Sequence, residues 1–276
     1  FKPLSMRKLL NLKGVKQYLQ LSLPGMFISL FEMSTSYLIV LLCAFIDIKN
    51  GNAKYAICAG MILMLIIRFI QFIFTGISYA LSIRIDGYIY MQCLGTSHNN
   101  NDHSMIIKAK EARNVGYLMM IILNIIISIT LYFAKETILS IFINNEIVID
   151  VLSGNQSYLM DILIIHSFIM SFEYLLSSIC RGIGEPYSTY PAQIILCSYY
   201  IIPFPLMLVC LFYFGYKYSL YSGLTILFVL YTFSKLISVA IMQLMVWCRI
   251  DWKRIAQKRY KKATKSMQLQ IVDLSN

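Results

Sequence analysis

The chain has 276 residues, of which 58% are apolar and only 13% charged, yet its net charge is +11. That composition belongs to an integral membrane protein and leaves no stretch that fits a soluble domain. Seven cysteines at 43, 58, 93, 180, 197, 210 and 248 show no CxxC and no paired spacing, which argues against a disulfide framework or a zinc site.

A hydrocarbon slab about 30 Å thick takes about 20 residues of helix to cross. The chain opens on the basic segment KPLSMRKLLNLKGVKQ, with neither an initiator Met nor a signal peptide, so residues 1–19 are expected to be a linker within a longer protein. Six apolar runs of spanning length follow, at about 20–46, 55–83, 115–133, 158–179, 190–214 and 220–247. Runs such as IILNIIIS and LLCAFI are apolar all round, which suits helices and not the period-two strands of a barrel. Residues 248–276 form a basic tail.

The connections carry the charge. Segments 1–19, 84–114, 180–189 and 248–276 hold 18 Lys and Arg, against 4 in 47–54, 134–157 and 215–219. Under the positive-inside rule the first set is cytoplasmic. This one-sided distribution accounts for the positive charge and argues against nucleic acid as a partner; the tail WKRIAQKRYKK would face anionic lipid headgroups. Within 84–114 the Asn-rich Gly95–Asp102 portion reads as a turn, and MIIKAKEARN as a helical lead into the third span. In 134–157, ILSIF and IVIDVL read as short amphipathic helices at the outer surface, and Asn155-Gln156-Ser157 is an outer-loop glycosylation sequon. Pro24 in the first span and Pro203 and Pro205 in the fifth are expected to kink their helices, as a packing feature or as a bend bordering a cavity.

Ionisable groups at lipid depth mark ion or substrate paths by default, and Glu32, Arg68, Asp161, Glu173 and Lys235 are such groups here, with His166 as a titratable neighbour. Helical spacing sorts polar residues into three stripes: Ser22, Ser29, Glu32 and Ser36; Arg68, Gln71, Thr75 and Ser78; and His166, Met170, Glu173, Ser177 and Arg181. Two uses fit the acids. A desolvated carboxylate can take and release a proton in exchange for a cation. Alternatively Glu32 and Glu173 are structural partners of Arg68 and Lys235. Asp161, about one turn inside its span, reads as interfacial; His166 reads equally as a core hydrogen-bond donor. With no HExxH, no GxSxG, no second His in the spans and no phosphate loop, the chain is not expected to be an enzyme.

Several segments in order carry a family resemblance. YLQLSLPGMFISLFE, 18–32, resembles the seventh helix of the multidrug and toxin extrusion (MATE) family, where an apolar-Pro segment leads to an acidic position; ISYALSIRIDGYIYMQCLG, 77–95, resembles the end of its eighth helix. CRGIGEP, 180–186, with SYYIIPFP, 198–205, resembles its Arg-Gly-x-Gly turn and the helix that follows, and YSLYSGL with IDWKRIAQKRYKK resembles its closing helix and tail. The resemblance implies an all-α membrane protein, this chain forming the carboxy-terminal six-helix lobe of a twelve-helix, two-bundle transporter whose amino-terminal six-helix lobe is missing. It implies a multi-pass protein of the plasma membrane or an organelle membrane that exports organic cations and other xenobiotics in exchange for H⁺ or Na⁺, with no other cofactor. Glu32 matches the family's first acidic position, and Arg84, Arg181, Gly182 and Gly184 match cytoplasmic-turn positions. Tyr37 stands where animal members often carry a second Glu, the eighth-helix acid would fall near Leu65, with Arg68 the charge nearby, and the tenth-helix acid would fall on Met170, one turn before Glu173. The expected coupling and cavity residues are therefore Glu32, Glu173, Arg68, His166 and Tyr37. A related two-lobe flippase of lipid-linked oligosaccharide, and another multi-helix carrier or channel, are the alternatives.

Overall fold

The computed structural model describes residues 12–46, 51–95, 104–154, 157–184, 194, 220–248, 250–252 and 254–257; in the first helix the described side chains are those of Leu19, Leu23, Met26, Phe27, Leu30 and Met33 onward. Among these residues there is no strand. The helices are α1 (Leu12–Cys43), α2 (Ala53–Gly95), α3 (Ser104–Phe133), α4 (Lys135–Phe142), α5 (Glu146–Ser153), α6 (Leu159–Ile183) and α7 (Leu220–Cys248). Four of them, α2, α3, α6 and α7, are long and apolar enough to cross a membrane. The run at 190–214, with Pro203 and Pro205, lies outside the described residues, as do the sequon's Asn155 and Gln156.

Helix ends follow local chemistry. Gly184 stops α6 at φ 82°, a left-handed turn in which its N–H donates to Arg181 O at 3.0 Å, and only glycine takes that conformation without strain. Asn145 starts α5 by accepting from the Ile147 and Val148 amides through its side chain. Residues 84–95, which the apolar runs leave to a connection, are instead the last turns of α2, because the stretch has no proline and the single Gly87 is too weak a breaker to end a helix before the Asn-rich turn. At 43 residues α2 is about 64 Å long, twice what a bilayer core needs, so its charged end with Arg84 and Asp86 projects past the apolar part.

The packing centres on α6. Of its most apolar 18 residues 72% are buried, against 22% for α3, whose Leu118, Ile122, Ile125 and Ile129 form an exposed apolar face. Side-chain pairings set each helix's direction. Gln71 meets Tyr174 and Ser78 meets Arg181, so α2 and α6 run parallel; His166 meets Thr232 and Glu173 meets Ser238, so α6 and α7 do too. Ser36 meets Arg68 while Cys43 lies against Gly60, and Asn124 meets Ser171 while Gly116 lies against Leu175, so α1 opposes α2 and α3 opposes α6.

Close approach is bought with small side chains. A Cβ on Gly182 would stand 2.8 Å from the Ser82 carbonyl oxygen, and one on Gly223 would stand 2.7 Å from Ile46 Cγ2. These contacts bring helix backbones together where no hydrophobic driving force would act in lipid. The resulting bundle has two ends of different charge. Glu136, Glu146, Asp150 and Asp161 lie with Lys54 and Lys135 at one end; Arg84, Lys108, Lys110, Arg113, Arg181 and Arg254 lie with Asp86, Glu111 and Asp251 at the other.

Candidate functional site

The third stripe becomes the buried face of α6. Steps of three and four residues bring His166, Met170, Glu173 and Ser177 under one another, and all four are buried. Opposite them α7 presents Tyr231, Thr232, Lys235 and Ser238 at the same helical spacing. The Lys235 ammonium donates to Glu173 Oε2, and Ser238 Oγ donates to Oε1 at 3.0 Å, so both carboxylate oxygens are engaged. Glu173 is 1% and Lys235 3% exposed. Lys235 stands 15 residues from the start of α7 and 13 from its end, about 20 Å from either by helical rise, which is mid-bundle.

A charge at that depth is expensive alone, and this pair offsets the expense twice: by mutual attraction in a low dielectric and by the serine hydrogen bond. Two turns before Glu173, His166 is 1% exposed, with Nδ1 3.2 Å from Thr232 Oγ1 and its ring stacked on Tyr231 at 4.7 Å between centroids. Its Nε2 has no hydrogen-bond partner among the described residues.

The second stripe forms a separate polar line on α2. Arg68 donates from Nη1 to Gln71 Oε1 and from Nη2 to Ser36 Oγ, each at 2.9 Å. Gln71 Nε2 donates to the Tyr174 hydroxyl, and Ser78 Oγ donates to the Tyr174 carbonyl at 2.9 Å while accepting from Arg181 Nη2 at 2.8 Å. The Arg181 guanidinium also lies 5.0 Å from the centre of the Tyr79 ring. Three helices are thus tied by one hydrogen-bonded chain running toward the basic end.

Of the residues singled out from the sequence, Glu173 and His166 lie on one seam between α6 and α7, and Arg68 lies on the α1–α2 side joined to α6 through Gln71 and Tyr174. Glu32 belongs to α1, one turn before Ser36, and its side chain lies outside the described residues. Tyr37 is 76% exposed, away from both polar groups. Asp161 is exposed in the first turn of α6, in keeping with an interfacial place.

Two partners were not singled out, Ser238 and Thr232, whereas Lys235 takes the place beside Glu173 that the structural alternative gave it. Their signal was present in the three-residue steps from Thr232 to Ser238 within an apolar span. Among the described residues no group of His, Cys, Asp and Glu could hold a metal ion, and Cys43, Cys58, Cys180 and Cys248 are free thiols. No protein-family model matches the sequence, and comparison with curated proteins finds no match.

Proposed function

We propose that this chain is one lobe of a multi-pass secondary transporter that exports small organic cations in exchange for protons or Na⁺, of the multidrug and toxin extrusion type. The observation that carries the reading is the hydrogen-bonded Glu173–Lys235 pair at mid-bundle, among helices otherwise apolar enough for lipid. A purely structural bundle gains little from such a pair, since apolar residues of similar volume are often as stable, whereas a carrier uses a buried carboxylate to take up and hand over a cation.

The topology supports the same reading. Because α2 and α6 run parallel and α3 opposes α6, α3 is the return crossing between them, as alternating crossings require. The basic end is then cytoplasmic and the acidic end external. In this reading Glu32 and Glu173 accept the coupling ion, the missing amino-terminal lobe supplies the facing wall of the substrate cavity, and lipid surrounds the rest. A second reading, carriage of a lipid-linked oligosaccharide, draws on Arg68, a mid-depth guanidinium suited to phosphate.

The test is a pH-jump experiment on proteoliposomes of the complete protein loaded with a fluorescent organic cation. Efflux that follows the imposed proton or Na⁺ gradient, and is lost in Glu32→Gln and Glu173→Gln, is the expected result. Cation fluxes equal to those of protein-free vesicles under both gradients would overturn the reading, and flux of a lipid-linked sugar in their place would support the second.

A further inference from the structure

The ion pair has on each side a neighbour whose buried polar atom finds no hydrogen-bond partner among the described residues. Toward the acidic end, two helical turns from Glu173, the His166 Nε2 atom is buried without a partner among the described residues. Toward the basic end, one turn on, the Ser177 hydroxyl is equally buried, at 4% exposure, and equally without a partner. Buried polar atoms left unpaired are destabilising, and where several line one face they are usually met by ordered water. Either His166 tautomer leaves one hydrogen-bonding position at Nε2 to be filled, since Nδ1 is already engaged by Thr232.

We propose that His166 Nε2 and Ser177 Oγ are the two water-binding points of a proton path along the α6–α7 seam, with the Glu173–Lys235 pair as its central station. This rests on the transporter reading above and assigns that site's route. A proton delivered at the His166 side adds to Glu173 Oε2, the ammonium of Lys235 loses its carboxylate partner, and loss of the same proton toward Ser177 restores the pair. Only O–H and N–H bonds form and break, and no other reactant is needed.

The surrounding charges set the direction of entry. The external mouth lies near the exposed carboxylate of Asp161, five residues before His166 on α6, and Asp150 and Glu146 stand at the same end; Arg181 guards the other end one turn beyond Ser177. Among the described residues Cys180, one turn beyond Ser177 on α6, is a buried free thiol, and four other ionisable side chains on the packed elements are engaged. Tyr231 stacks on the His166 ring; Arg68 and Tyr174 belong to the Gln71 chain; Tyr117 on α3 donates to Gln243 at 2.9 Å.

The decisive variant is Ser177→Ala in the complete protein, reconstituted in vesicles carrying an internal pH indicator. Because Ser177 Oγ has no hydrogen-bond partner among the described residues, its removal is expected to leave the melting temperature unchanged, so a slow variant cannot be dismissed as a misfolded one. Expected are an unchanged melting temperature, slowed gradient-driven efflux with equally slowed proton movement, and recovery in Ser177→Thr, which restores the hydroxyl. His166→Gln is expected to slow both fluxes as well. Wild-type proton movement and efflux in both Ser177→Ala and His166→Gln would overturn the path while leaving the transporter reading standing. A wild-type protein that moves no cation under either gradient would overturn both.

Discussion

Lys235 on α7 and Glu173 on α6 form an ion pair in which neither partner is more than 3% exposed, 62 residues apart in the chain and at the middle of the bundle. Removing one partner strands a buried charge, whereas removing both leaves an apolar seam. Lys235→Met alone is expected to destabilise the protein by about 3 kcal/mol, and the double variant Glu173→Leu with Lys235→Met to recover most of that. Thermal melting in detergent checks this; a double variant no more stable than the single one would show that the pair's geometry, not its charge balance, holds the seam.

The Arg68 guanidinium reaches Ser36 on α1 with one nitrogen and Gln71 with another. A lysine at that place supplies donors from a single nitrogen and cannot span both acceptors in the same geometry. Arg68→Lys is expected to lower stability by about 1 kcal/mol, and Arg68→Ala by more. In transport assays, Arg68→Ala should shift the order in which anionic and cationic competitors inhibit. Unchanged melting and unchanged competition together would mean that the α1–α2 contact does not depend on this residue.

Two glycines on exposed and buried helix faces separate packing from propensity. Gly182→Ala places a methyl 2.8 Å from the Ser82 carbonyl and 3.0 Å from Ile85 Cβ, forcing α6 away from α2, so a loss of about 1–3 kcal/mol is expected. Gly76→Ala meets nothing within 4 Å and should be neutral or slightly stabilising through helix propensity. Fluorescence-detected size-exclusion after heating reads both.

Sidedness follows from the unequal ends. In a cysteine-free background, Glu146→Cys on α5 should react with an impermeant thiol reagent from outside intact cells, and Lys108→Cys on α3 only after permeabilisation; both positions are exposed. Labelling of Lys108→Cys from outside would reverse the orientation, and with it the direction of every flux discussed above.

Much of the bundle was legible in the sequence because helix formation in lipid answers to length and apolarity alone, both local quantities. Four apolar runs match α2, α3, α6 and α7 to within one residue of lying inside them, and ILSIF and IVIDVL lie in α4 and α5. The stripes were legible for the same reason: a period of 3.6 residues puts Arg68, Gln71 and Ser78 on one side of α2 wherever that side comes to point. Which partner each charge takes was not. The sequence offers two acids and two cations, and their spacing along the chain is silent on pairing. The parallel docking of α6 on α7 gives Glu173 to Lys235, while the antiparallel docking of α1 on α2 gives Arg68 a hydroxyl of Ser36. Tyr37 shows the other side of that limit. One residue past Ser36 is a rotation of about 100° around the helix, so a neighbour in sequence faces away from the contact its predecessor makes, and only the placement of α1 against α2 decided which of the two it would be.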